Sequence, residues 1–424
     1  AMNAYEGCAT ISNAEGAGLF YTNGLTAYNR NHKIMVNGEN LNGHESSTQS
    51  AIIVPHPGDS NRYYIFTVDY SGKENGLQYS VVDMDLDGGM GAITNEKNIT
   101  LTTPVTEKIT AIKHADGKSI WVLAQENNSN VFLAYLVTAS GIVKTPIKSQ
   151  VGIDLGSIDP TFRFKAQGYM KASPDGEKVG ICHFQVGAEI LDFNNATGVL
   201  SNAKTIGNIP DTHYYGLEFS PNGKLLYLTV ENFFIYQYDL TVSDIQASQL
   251  LVMEDTEFIK YYYGALQLAP DGKIYFSRIY QDYLGVIENP NVRGIGCNAI
   301  REGLYLEGKR TNMGLPTFIQ SYFYTDFSVE NFCLGETTYF NLQNEDQVKK
   351  VQWDFGDGHT SNEINAENEY EFPGTYTVVV SITTITGEEE IKTKEITINN
   401  GAVAHQPDNI WLCTDKQEEL IDIS

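Results

Sequence analysis

The chain has 424 residues, with 28 Lys and Arg against 53 Asp and Glu, for a net charge of −25. Such an acidic surplus excludes nucleic-acid phosphates and anionic lipid as general partners; it keeps an extracellular protein soluble, with cation binding as the alternative. No apolar run approaches the roughly 20 residues of a membrane span, so direct membrane insertion is not expected, and 26 Tyr, 19 Phe and 38 Gly favour strands and turns.

From the N-terminus, an apolar strand at Gly7-Cys-Ala-Thr-Ile leads into the first of six copies of one phrase, in which a strand, a tight polar turn and a second strand follow each other. Ile11-Ser-Asn-Ala-Glu-Gly-Ala-Gly-Leu-Phe-Tyr, Val54-Pro-His-Pro-Gly-Asp-Ser-Asn-Arg-Tyr-Tyr-Ile-Phe and Lys113-His-Ala-Asp-Gly-Lys-Ser-Ile-Trp-Val-Leu are weak copies. Ala172-Ser-Pro-Asp-Gly, Phe219-Ser-Pro-Asn-Gly and Leu268-Ala-Pro-Asp-Gly are clear ones, and their glycines, Gly176, Gly223 and Gly272, lie 47 and 49 residues apart. Asp-Gly and Asn-Gly supply the positive φ that a tight hairpin needs, and Pro ends the strand before it. Further apolar runs follow, such as Leu77-Gln-Tyr-Ser-Val-Val-Asp-Met, Ile190-Leu-Asp-Phe and Ile235-Tyr-Gln-Tyr-Asp-Leu, and read as third strands. Four-stranded sheets at this period must pack radially, which predicts an all-β fold with a β-propeller over 1–325. Gly314-Leu-Pro-Thr-Phe-Ile-Gln-Ser-Tyr-Phe reads as a seventh inner strand without a continuation. The expectation is seven blades with the last incomplete, its closing piece preceding Ala1.

Within the second copy, Asp83-Met-Asp-Leu-Asp-Gly matches the opening of a calcium loop, with Asp83, Asp85 and Asp87 as candidate ligands. The Glu expected six residues after the Gly is replaced by Thr94, and the run also reads as a strand entering an Asp-Gly-Gly turn. Calcium is the only cofactor the sequence suggests. Five cysteines without a CxxC pair give no zinc site; Cys8 and Cys182 sit in apolar strands as buried thiols, while Cys333 and Cys413 flank the next domain and are candidates to pair.

From Asp326 the blade pattern stops. Val351-Gln-Trp-Asp-Phe-Gly-Asp-Gly and Tyr370-Glu-Phe-Pro-Gly-Thr-Tyr-Thr-Val-Val-Val-Ser-Ile resemble the PKD domain, a small immunoglobulin-like sandwich, over 326–400. The resemblance implies that Trp353, Phe355 and Tyr376 face its core and that Gly-Asp-Gly makes a hairpin. Glu369 stands where that family often carries His. Residues 401–424 read as a linker and the start of a further β domain.

Glu6-Gly-Cys-Ala-Thr-Ile-Ser, Gly18-Leu-Phe-Tyr-Thr-Asn-Gly, Gly43-His-Glu-Ser-Ser-Thr-Gln-Ser-Ala-Ile-Ile-Val-Pro and Gly314-Leu-Pro-Thr-Phe-Ile-Gln-Ser-Tyr-Phe resemble the large surface proteins of gliding Bacteroidetes. These join an N-terminal propeller to PKD and other immunoglobulin-like repeats. They end in a gliding-motility-associated type B sorting domain, which this sequence does not contain. The resemblance implies export by the type IX secretion system to the cell surface or the medium, with the secretion machinery as a partner.

Propeller ligands usually bind where the inner strands begin. Registering the copies puts Glu6, Gln49, Glu107, Lys108, Tyr169, Tyr215, Tyr263 and Leu315 at that mouth, with His44 in a loop beside it. Three tyrosines with carboxylates, an amide and an ammonium suit a sugar, stacking on its ring and bonding its hydroxyls; the competing role for the tyrosines is packing between blades. Glu6 and Glu107 are the only pair offered for glycoside hydrolysis. Three functions follow in order of preference: a non-enzymatic, adhesin-like head binding an extracellular glycan or protein, a secreted hydrolase of polysaccharide or peptide, and a structural part of a surface assembly. No catalytic phrase such as Gly-x-Ser-x-Gly or His-Glu-x-x-His occurs.

Overall fold

The computed structural model of the protein describes residues 2–13, 16–159, 161–162, 164–207, 212–231, 233–255, 263–322, 327–342, 345, 348–384, 389–399, 402–404 and 410–412. The chain divides into two compact units, Ala1–Ser321 and Tyr322–Ser424.

Each clear Pro-Asp-Gly phrase folds the same way. The glycine N–H donates to the carbonyl three residues back, Gly176 to Ser173, Gly223 to Ser220 and Gly272 to Ala269, at 2.9, 2.9 and 3.0 Å. The preceding Asp or Asn accepts from the N–H two residues on, as Asp175 does from Glu177 and Asp271 from Lys273. Each turn joins the first two strands of an antiparallel meander, and the described residues of the first unit form six such sheets.

The blades begin with the inner strands Cys8–Ser12, Ala51–His56, Val105–Lys113, Met170–Ala172, Tyr214–Phe219 and Tyr263–Leu268. In the fifth blade, for example, Tyr214–Phe219, Leu225–Val230, Phe234–Asp239 and Leu250–Glu254 pair in order. The inner strands Tyr214–Phe219 and Tyr263–Leu268 are buried at every position, whereas the outer strand Leu250–Glu254 is not. Core thus sits between blades. One cluster joins Tyr169, Cys182 and Ile190 of the fourth blade to Tyr215, Leu217 and Leu226 of the fifth.

Pro316–Thr317 lies parallel to Cys8–Ser12, pairing Cys8 with Pro316 and Ala9 with Thr317. Just ahead of it, the Ala265 N–H donates to Met313 O and the Met313 N–H to Tyr5 O, at 2.8 and 3.1 Å. This strand therefore lies between the sixth and first blades, in the place of the expected seventh inner strand, and among the described residues it joins the sheet of the first blade. The chain then runs down the channel: Thr317 Oγ1 donates to Ala51 O, the Gln320 amide to Glu218 and the Lys113 N–H to Ser321 Oγ.

In the second unit, Phe327–Glu330, Thr338–Leu342 and Ala366–Asn368 form one sheet. Thr360–Ser361, Val348–Asp354, Gly374–Thr384 and Glu389–Ile398 form the other. Trp353 and Phe355 share one buried cluster with Phe327, Phe340 and Tyr370, and Tyr376 packs against it half-buried. Gly356 and Gly358 of the Gly-Asp-Gly hairpin have φ of 79° and 96°. Glu369 accepts a hydrogen bond from Thr337 Oγ1 at 3.2 Å. Ala402–Ala404 and Ile410–Leu412 pair as a hairpin. Cys8, Cys182 and Cys297 are buried free thiols, and Cys333 is disulfide-bonded. Cys413, its expected partner, lies outside the described residues.

Candidate functional site

At the starting ends of the inner strands the backbones touch. Gly7 N–H donates to Ser47 O, Gln49 N–H to Glu107 O, Glu107 N–H to Ala166 O and Tyr169 N–H to Tyr215 O, at 2.9 to 3.3 Å. Glycine permits this approach: a Cβ on Gly7 would stand 2.0 Å from Ser50 N, and one on Gly314 1.6 Å from Glu6 O. The ring is closed by main chain, and most expected mouth residues are withdrawn from solvent.

That corrects their expected role. The Gln49 amide oxygen accepts from the N–H groups of Ile109 and Met170 while its amide donates to Met170 O, tying the second, third and fourth blades together. Glu107 accepts from Thr48 N and Oγ1 and from Ser71 N. Lys108 Nζ donates to the carbonyls of Lys165 and Ala166 and to His183 Nδ1. Tyr169 packs edge-on against Tyr215, ring centres 5.6 Å apart, and Tyr263 edge-on against Phe276. Leu315 joins the core between blades, and His44 stacks on Tyr70 at 5.0 Å. The tyrosines thus serve as packing between blades. Of the expected set, Glu6 and Tyr215 line a cavity.

The acidic run takes its strand-and-turn reading: Leu77–Asp83 is a strand, and Asp87–Gly89 forms the turn after it. Asp83 faces Arg62 at 3.5 Å, Asp85 accepts from the Asn61 amide, and Asp87 begins the turn at φ 52°. Among the described residues no group of three or more His, Cys, Asp or Glu is placed to hold a metal ion.

Burial dominates the titration of the inner ring. It pushes Glu107 up to about 7, Lys108 down to about 7 and His183 down to about 4. Between pH 4 and 7 the raised carboxyl and the lowered imidazole act in opposite senses. Above pH 7 the unfolded chain holds a proton on this lysine that the folded chain does not, so stability rises with pH. Buried Cys8, pushed up to about 12, offsets the rise once unfolded thiols begin to ionise near pH 8.5. Chemical denaturation of the full chain at pH 7.0 and 8.5 is expected to show this gain, with a slope up to about 1.4 kcal/mol per pH unit. Lys108→Met should flatten it, and an unchanged slope in that variant would assign it to other groups.

The cavity, of about 300 Å³, opens where the inner strands begin. Tyr5 and Glu6 precede the first inner strand, Gln167 the fourth, Met313 precedes Pro316–Thr317, and Tyr215 belongs to the fifth inner strand. Phe184, Ile279 and Tyr280 come from the hairpins that join the second and third strands of the fourth and sixth blades. Glu6 Oε1 accepts from Ser46 Oγ and Oε2 from Tyr215 OH, both at 2.8 Å, and burial raises its pKa. Phe184 is stacked on His213, ring centres 4.4 Å apart. Tyr280 is exposed and sits at φ 64°, a conformation costing a bulky residue about 1–3 kcal/mol, held by its N–H to Thr311 O at 2.9 Å. Phe184 and Tyr280 escape a reading of inner strands alone, because hairpin tips reach the same face as inner-strand starts. Adjacency to Glu6 is the sequence signal for Tyr5.

The second unit carries a family match. Residues 327–399 match the PKD domain. Over 18% of this chain and 92% of that one, it is similar at 24% identity and a TM-score of 0.16 to the PKD1 domain of Vibrio anguillarum Epp. Across both units the chain is similar to a protein from Bacteroides fragilis described as a candidate 6-phosphogluconolactonase, at 15% identity, 86% and 94% coverage and a TM-score of 0.45. It is also similar to a protein from Lactobacillus plantarum, at 11% identity, 92% and 95% coverage and a TM-score of 0.44. PKD domains are typical of extracellular proteins. Among the described residues no helix is long and apolar enough to cross a membrane.

Proposed function

We propose that this is a non-enzymatic surface protein whose propeller binds an extracellular glycan, carried on PKD-type and further immunoglobulin-like domains. The observation that carries the reading is the cavity of about 300 Å³ walled by Tyr5, Phe184, Tyr215 and Tyr280, with Gln167 and Glu6 supplying polar contacts. Aromatic faces stack on sugar rings, and a few fixed polar groups give orientation. Hydrolysis is disfavoured because Glu107, the other carboxylate of the expected pair, is fully buried, bonded to Thr48 and Ser71, and not among the cavity residues. The disulfide at Cys333 and the acidic surface support an oxidising, extracellular setting. Export through the type IX secretion machinery of a gliding bacterium rests on the phrases around Gly7, Gly43 and Gly314.

Screening the full chain on a glycan array tests the binding role. Retention of a defined glycan class is expected, weakened about ten-fold or more by Phe184→Ala and by Tyr280→Gly. The second variant relieves the left-handed strain, so it should lose binding without losing stability. An array on which nothing is retained, or on which both variants bind as the parent does, would sink the proposal.

A further inference from the structure

Glu6 is the one carboxylate among the residues that line the cavity. It is only 6% exposed, and among the described residues no Lys, Arg or His forms an ion pair with it. A carboxylate in such a place is costly unless a charge of opposite sign meets it. Ser46 Oγ and Tyr215 OH each occupy one acceptor site, on different oxygens. A carboxylate offers about four such sites, so each oxygen retains capacity for another donor. Tyr5, Phe184, Tyr215 and Tyr280 line the same cavity. Aromatic faces carry negative charge density and attract cations. An anionic ligand would meet both Glu6 and a chain of net charge −25.

We infer that the cavity recognises the protonated amino group of an amino sugar, with the ammonium at Glu6 and the sugar ring on the aromatic wall. The inference rests on the glycan reading above and narrows it to glycans with free, non-acetylated amines. A sugar is favoured over a lysine side chain because the Gln167 amide and the hydroxyls of Tyr5 and Tyr280 have ring hydroxyls to bond, where a butyl chain has none. Acetylation removes the charge and adds bulk, so it should abolish the preference.

Titration calorimetry of the full chain with a glucosamine tetramer, its N-acetylated counterpart and a short lysine peptide tests this. The free amine is expected to bind at least about ten-fold more tightly than the acetylated sugar. Glu6→Gln should erase that difference, while Tyr280→Gly should weaken both sugars alike. The comparison of two ligands on the unaltered protein needs no variant, so it stands even if Glu6→Gln fails to fold. Equal binding of the two sugars, or an undiminished amine preference in Glu6→Gln, overturns the cation assignment and leaves the glycan reading in place. Binding of the lysine peptide but of neither sugar overturns the amino sugar and the glycan reading together.

Discussion

Trp353→Ala is expected to unfold the second unit's sandwich while the propeller stays folded, at a cost of about 3–5 kcal/mol. The indole is fully buried and touches rings of both sheets, Phe327 edge-on at 5.1 Å and Phe340 at 5.7 Å, with Phe355 nearly parallel at 6.3 Å. Its Nε1 donates to Glu363 O at 2.9 Å. Truncation therefore leaves a large cavity between the sheets and removes the donor to that carbonyl. Domains of this size have only about 5–15 kcal/mol of stability, so the loss is a large fraction of the whole. Hydrogen exchange on the full chain, resolved by peptide, should show protection falling across 327–399 and unchanged over the six blades. Phe372→Ala, at a side chain 68% exposed, is the control and should change stability by less than about 0.5 kcal/mol. Equal protection in the parent and the Trp353 variant would mean that the indole does not hold the sheets together.

The repeat made the scaffold legible because its signal is local: Asp-Gly or Asn-Gly forces one kind of turn wherever it falls, so spacing alone counts blades. The cavity was harder to read. Ranking residues by distance from the turn finds the starting ends of inner strands, which is how Glu6 and Tyr215 were found. It does not say whether those ends face solvent. The glycines that decide this were in plain view: Gly7 follows Glu6, Gly216 follows Tyr215, Gly264 follows Tyr263, and Gly314 precedes Leu315. Glycine beside these four mouth residues lets neighbouring backbones touch, which closes the ring there and buries Tyr215 and Tyr263. Phe184 and Tyr280 were illegible for another reason, since hairpin tips from different blades meet only once the ring has formed. The far half of the channel had a readable signal. Lys171, Glu218 and Gln267 each stand five residues ahead of their turn glycines, so three consecutive copies put a cation, an anion and an amide at one level of the ring.

Those three residues meet, and Glu218→Ala is expected to destabilise the propeller by about 3–5 kcal/mol, because it strands a buried charge. Lys171 Nζ lies 3.3 Å from Glu218 Oε2 and donates to Gln267 Oε1 at 2.5 Å, with both charged side chains almost wholly buried. Glu218 further accepts from the N–H groups of Phe219 and Leu268 and from the Gln320 amide, so it joins the fourth, fifth and sixth blades to the segment inside the channel. The double variant Lys171→Met, Glu218→Gln removes both charges yet keeps an acceptor for the Leu268 and Gln320 donors. It should recover to within about 1 kcal/mol of the parent, and a double-mutant cycle by urea denaturation would show strong coupling. Purely additive effects would mean that the pair acts as two unrelated contacts. The pH dependence separates charge from packing. Burial lowers the Lys171 pKa and Glu218 raises it, so Glu218→Gln alone should lower it further. The unfolded chain then keeps a proton that the folded chain releases, and the stability of this single variant should climb between pH 7 and 9 more steeply than that of the parent. A slope no steeper than the parent's would locate the loss in packing around the amide instead of in the stranded ammonium.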